Sequence, residues 1–253
     1  MPILITAKRH FDEDLGRSRG LLGHARPLGV GPLRDDILRA AWMMAVGACD
    51  AFFCDAYADL VSRALRAKDL EPRVEIPDRL ANLRIPAIAV IRQAAGGWRW
   101  RMAARELIED ESVLSLQKIR ELFNQFCRPN SKLVTARAIE TWILHRDAKH
   151  RLFGISTTDS RKLTGPQRST ARELAVAKIN SRFDTIFQRR HDCIHNCDRP
   201  KIALLAISDT SVNKVMEDVK FLVDRCHEAL SIEFSAYLTE LGFSGQTRNR
   251  VCM

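Results

Sequence analysis

A chain of 253 residues, 46% of them hydrophobic, is too apolar to stay disordered and long enough to bury a core as one large domain or two small ones. Its net charge of +9 and pI near 9.5 suit a polyanionic partner: nucleic acid, or an acidic membrane or protein surface. Ala, Leu and Arg dominate, aromatics are 7%, and Gly and Pro are sparse between residues 34 and 241, which favours helix over strand.

Residues 1–33 are Gly-rich (Gly16, Gly20, Gly23, Gly29, Gly31) and read as a loose N-terminal arm. Pro32 then suits the first turn of a helix, and Asp35 and Asp36 suit its positive end. From Leu38 the apolar positions Ala41, Trp42, Ala45, Cys49, Phe52, Phe53, Ala56, Leu60 and Ala64 recur with a 3.6-residue period to about Ala67. This helix is polar on few faces, so it should lie central in a bundle.

Prolines 72, 77 and 86 and the Gly96-Gly97 pair break residues 69–100 into turns or short helices. A helix is expected from about Glu109 to Phe126, stopped by Pro129, and another from about Thr135 to Leu152, ended by Gly154. Residues 155–167 read as a polar linker. Thr170-Ala171-Arg172-Glu173 resembles a capping box near the start of a helix with the stripe Val176, Ile179, Phe183, Ile186, Phe187, Arg190, Ile194. Asn196, Asp198 and Pro200 would end it. A last helix runs from about Ser208 to Leu241, followed by a frayed tail, 242–253. The reading is an all-α, up-and-down bundle with one helical domain over 34–241, without repeats or strand-like alternation.

Seven cysteines in no paired spacing point to a reducing cytoplasm. No signal-peptide pattern stands at residues 1–14. The apolar run 40–58 is interrupted by Asp50 and Asp55, so no membrane span is expected.

The most informative stretch is Arg189-Arg190-His191-Asp192-Cys193-Ile194-His195. Arg190 carries a permanent charge in a planar fork that matches a phosphate, and His195 exchanges protons near neutrality. Arg190 also falls on the apolar stripe, where an unpaired charge is costly, and Asp50 is the intramolecular candidate to meet it or His195. On a straight helix Arg190 and His195 sit about 140° and about 7.5 Å apart. Either the helix breaks between them or two copies of the motif meet across a two-fold axis. Spacing favours Arg190 over Arg189 as the working arginine.

The Arg-polar-x-x-x-His pattern late in the chain resembles the HEPN superfamily of helical ribonucleases. Leu33-Arg34-Asp35-Asp36-Ile37-Leu38-Arg39-Ala40-Ala41, with Gly47-Ala48-Cys49-Asp50-Ala51-Phe52-Phe53, resembles the opening helix of its RiboL-PSP-HEPN branch. The two segments lie about 150 residues apart, in the branch's order. The resemblance covers about residues 30–240; residues 69–100 and 155–167 match nothing in it. It implies RNA cleavage by a homodimer without metal or cofactor, in a toxin or anti-phage defence setting with an antitoxin or regulatory protein. It assigns Arg190 to the scissile phosphate, His195 to proton transfer and His191 to the polar position; Asp50, Arg189 and Asn196 would support them. Some relatives carry a modifiable Tyr two residues beyond the motif His, where this chain has Cys197.

Other readings compete. A HEPN-like module could bind RNA or nucleotide, or mediate assembly, without catalysis, or Arg190 and Asp50 could be a purely structural pair in a helical adaptor. His191, Cys193, His195 and Cys197 alternate as soft ligands, but converging on zinc at period two needs a strand where the pattern is helical. Trp98 and Trp100 around Arg99 and Arg101 could stack bases and read better as a turn with one Trp in the core. Arg146, Lys149, His150 and Arg151 read as a solvated helix end that could also guide RNA.

Overall fold

A computed structural model describes residues 2–82, 98–109, 113–199 and 203–253. Among these the chain is all-α, with eleven α-helices and no strand. Helix α1 spans Ile5–Ala25, α2 Pro32–Leu70, α3 Asp78–Ala81, α4 Trp98–Glu109, α5 Leu116–Phe123 and α6 Ala136–Ile143. Helix α7 spans His150–Phe153, α8 Thr157–Lys162, α9 Gly165–Asn196, α10 Asp209–Glu240 and α11 Gly245–Cys252.

Helix α2 is the axis of the bundle. It packs against α1, α4, α9, α10 and α11, and its buried residues lie on every face. Its length and apolarity would suffice to cross a membrane, but 56% of its most apolar window is buried inside the protein. Packing among other helices is sufficient reason for that apolarity. Edge-to-face rings continue the core from Phe11 on Phe52 to Phe53, Phe123, Tyr57, Phe126 and Phe234.

The expectation of a loose arm over 1–33 is corrected by α1. Ala7, Phe11, Leu15, Ser18, Leu22 and Ala25 form a buried stripe at spacings of three and four, laid along α2. Gly16, Gly20 and Gly23 fall on the exposed side of α1 with open space around them. Each costs about 1 kcal/mol of helix propensity, and burial of the stripe offsets it.

The frayed tail is corrected too. Ser244 caps α11 by accepting from the Thr247 N–H, and its own N–H meets the Glu71 carboxylate at the end of α2. Thr247 and Val251 are buried. The polar linker contains α8, capped by Ser156, and α9 starts at Gly165 with Pro166 in its first turn. Thr170 is therefore inside α9, and its hydroxyl donates back to the Pro166 carbonyl at 3.3 Å. The helix expected over 109–126 is shorter, α5 plus a 3-10 turn at Asn124–Phe126, because Ser115 caps it. The one expected over 135–152 divides into α6 and α7. Helix α4 opens at Trp98 where a turn was expected, and the Trp100 indole donates to Asp69 at 3.3 Å. Residues 83–97, the rest of that Pro-broken stretch, lie outside the described residues.

Candidate functional site at the end of helix α9

Helix α9 runs unbroken through Asn196. Of the two geometries open to Arg190 and His195, the broken helix is therefore removed. On one continuous helix the two residues point about 140° apart. Arg190 lies on the inward edge with Phe183, Ile186 and Phe187, and His191 and His195 are exposed. His191 and His195, one turn apart, hold their rings at 4.4 Å between centroids.

The adjacent arginines are sorted by their partners. Arg189 is clamped on Asp198, a fully buried carboxylate: its Nε donates to Oδ1 at 3.2 Å and its Nη2 to Oδ2 at 2.8 Å. Its guanidinium also stands 4.9 Å over the Trp42 ring, and Nη2 donates to the Ala206 carbonyl at 3.0 Å. From α2, Arg39 donates through Nε to the same Oδ2 at 2.8 Å and through Nη2 to the Leu205 carbonyl at 3.0 Å. Asp198 thus ties the helix end, α2 and the segment before α10 together. Arg189, expected as a supporting site residue, is engaged in this structural clamp.

Arg190 is held more loosely. Its Nη2 lies 3.9 Å from Oδ2 of Asp50, beyond hydrogen-bond distance. The other Asp50 oxygen accepts the Val113 N–H at 3.1 Å. Burial raises the Asp50 pKa above its usual value, against the opposing pull of the Val113 N–H and of Arg190. Asp50 therefore meets Arg190, as its position on the apolar face suggested.

Arg190 and His191 open into a cleft of about 400 Å³ lined also by Leu114, Asp184, Phe187 and Gln188. His195 is not part of its lining. Asn196 is exposed and donates to Asp192 Oδ1 at 3.4 Å, which Gln188 also reaches at 3.0 Å, so it holds the helix end rather than facing the cleft. The Cys193 thiol is pushed up to about 11, mainly by burial and then by the Asp198 charge. Cys197 caps the helix in the left-handed region at φ 48°, followed by Asp198 at φ 59°.

Sequence reasoning missed Asp198, Arg39 and Asp184 as parts of the site. Arg39 carried a signal: a charge on a helix with almost no polar face needs a buried partner. Asp198 stands out less, because Asp shortly before Pro also reads as an ordinary helix stop. The alternating His191, Cys193, His195 and Cys197 do not converge, since neighbours two apart on a helix point about 200° apart. Among the described residues no three His, Cys, Asp or Glu side chains gather as a metal site.

No family model matches the chain, no curated protein matches it, and no solved structure matches it.

Proposed function

We propose that the protein is a metal-independent endoribonuclease of the HEPN type, acting in the cytoplasm as a homodimer through Arg190, His191 and His195. One observation carries the reading. The clamp on Asp198 occupies Arg189, whereas Arg190 borders an open cleft beside His191, with His195 exposed one turn further on.

A phosphodiester held by Arg190 would lie at the Arg190–His191 end of the cleft, because Asp184 puts negative charge elsewhere in its lining. The 2′-hydroxyl proton passes to the imidazole of His195 as the 2′-oxygen bonds to phosphorus. The 5′-oxygen leaves with a proton from water, giving a 2′,3′-cyclic phosphate, and His195 returns its proton to the hydroxide. Arg190 offsets the charge that builds on the phosphoryl oxygens. His191 orients the phosphate. The need for a 2′-hydroxyl confines the reaction to RNA.

Since Arg190 and His195 diverge on one helix, the complete site takes Arg190 from one copy and His195 from another across a two-fold axis. A toxin or defence role, with an antitoxin to restrain it, belongs to the same proposal.

A second reading is a non-catalytic module that binds RNA or mediates assembly; a purely structural adaptor is the reading that the Asp50–Arg190 approach favours, since it gives Arg190 an intramolecular partner. One gel separates the ribonuclease from the binding module. Purified protein and its His195→Ala variant are incubated with total RNA in EDTA. Cutting by the parent alone supports the ribonuclease. Intact RNA with both, each folded and dimeric, supports the binding module.

A further inference from the structure

The positive charge of this protein is concentrated in one part of the chain. Residues 132–182 hold eleven Lys and Arg against four Asp and Glu, a net of +7 out of the total +9. The remaining 29 basic and 27 acidic residues nearly cancel. This stretch comprises α6, α7, α8 and the first half of α9, and both α6 and α7 pack against α9.

Part of the charge is structural. Arg151 and Arg182 converge on the fully buried Asp218, each at 2.8 Å, and Arg168 and Arg172 share Glu140. Arg146 and Lys162 lie beside Asp147 and Asp159, which leaves Lys132, ahead of α6, and four cations further along the chain. Arg137, Lys149, Arg161 and Lys178 are exposed and, among the described residues, have no carboxylate within salt-bridge distance. Lys178 runs past Gly154, its Cγ 3.9 Å from the place of a Cβ there, so it lies against the end of α7, which Lys149 begins. Lys178 and Arg190 are on one helix, about 18 Å apart along its axis.

We infer that this face binds the backbone of single-stranded RNA and leads it along α9 to the cleft at Arg190. The inference rests on the proposed ribonuclease reading and adds to it a contact surface remote from the reacting phosphate. Two observations favour RNA over an anionic membrane. Leu174 is the only exposed large hydrophobic among residues 132–182, whereas a membrane-binding face interleaves cations with apolar residues. Lys178 is also on the helix that carries the proposed site, and Arg137 and Lys149 belong to α6 and the start of α7, which pack against it.

The test uses the full chain in a His195→Ala background with EDTA, so that bound RNA stays intact. Fluorescence anisotropy follows a labelled oligouridylate of about twenty nucleotides, longer than a typical single-strand site. The variant R137A/K149A/R161A/K178A should bind at least tenfold more weakly. Its slope of log affinity against log salt should fall by about 3, since each contacted phosphate of a single strand contributes about 0.7. The control R19A/R26A/R66A/R73A, equal in charge but elsewhere on the surface, should bind as the parent does.

Unchanged binding by the first variant, or equal loss by both, overturns the inference and leaves cutting by Arg190 and His195 intact. Binding to phosphatidylserine vesicles through the four cations, without RNA binding, overturns it in favour of a membrane. RNA bound through the four cations by a parent that never cuts would uphold the surface and sink the ribonuclease reading.

Discussion

Arg189 and Asp198 form a closed, two-pronged ion pair around the end of α9, with Oδ2 of Asp198 also engaged by Arg39. Because Asp198 is fully buried, its removal strands two guanidinium groups. Asp198→Ala should cost about 3–5 kcal/mol of folding stability, read from urea unfolding. Arg190→Ala removes a partly exposed group 3.9 Å from its partner and should cost about 1 kcal/mol or less. A large loss for Arg190→Ala would make that arginine structural.

Asp50 gives a pH-dependent prediction whose sign follows from its raised pKa. A carboxyl that holds its proton more tightly when folded contributes stability at low pH, and that contribution is lost as pH rises through the folded pKa. At neutral pH the buried charge is a net cost. Asp50→Asn keeps an oxygen for the Val113 N–H, so it should leave the melting temperature at pH 7 unchanged or higher. It should also flatten the decline in stability above the usual value of 3.8. A clear drop at pH 7 would mean that the Arg190 pair outweighs burial, as a structural adaptor requires.

Helix α1 can be tested at Phe11, which is 1% exposed and packs edge-on against Phe52 at 6.0 Å. Phe11→Ala should cost about 3–5 kcal/mol. A loose arm would show no change.

Cys197 is held in the left-handed region at φ 48°, where a side chain is strained and Gly is not. Cys197→Gly should raise stability by about 1 kcal/mol. Thermal melts under reducing conditions would show this, and a loss would mean that the thiol makes a contact worth more than the strain.

The sequence was most legible where apolar periodicity was strong. The long stripe of α2, the stripe of α9 and the Ser208 start of α10 all lie close to where the pattern places them. Helix α1 has an equally regular stripe, but the glycines on its exposed side hide it from a composition-based reading. Helices α7 and α8, of four and six residues, are too short for periodicity to announce. At the site, Arg190 against Asp50 was readable because both are charges on apolar faces. The Arg39–Asp198–Arg189 clamp was not, because it joins residues 159 apart and depends on the turn after α9.

The central claim is that Arg190 and His195 act across two copies of the chain. Arg190→Ala and His195→Ala proteins, each inactive alone, can be co-expressed, purified as mixed dimers and assayed on RNA in EDTA. Activity well above either parent, though below wild type, is the predicted result, because the mixed dimer restores one arginine facing one histidine. No recovery from mixed dimers that still bind RNA would contradict the account and place any chemistry within a single copy.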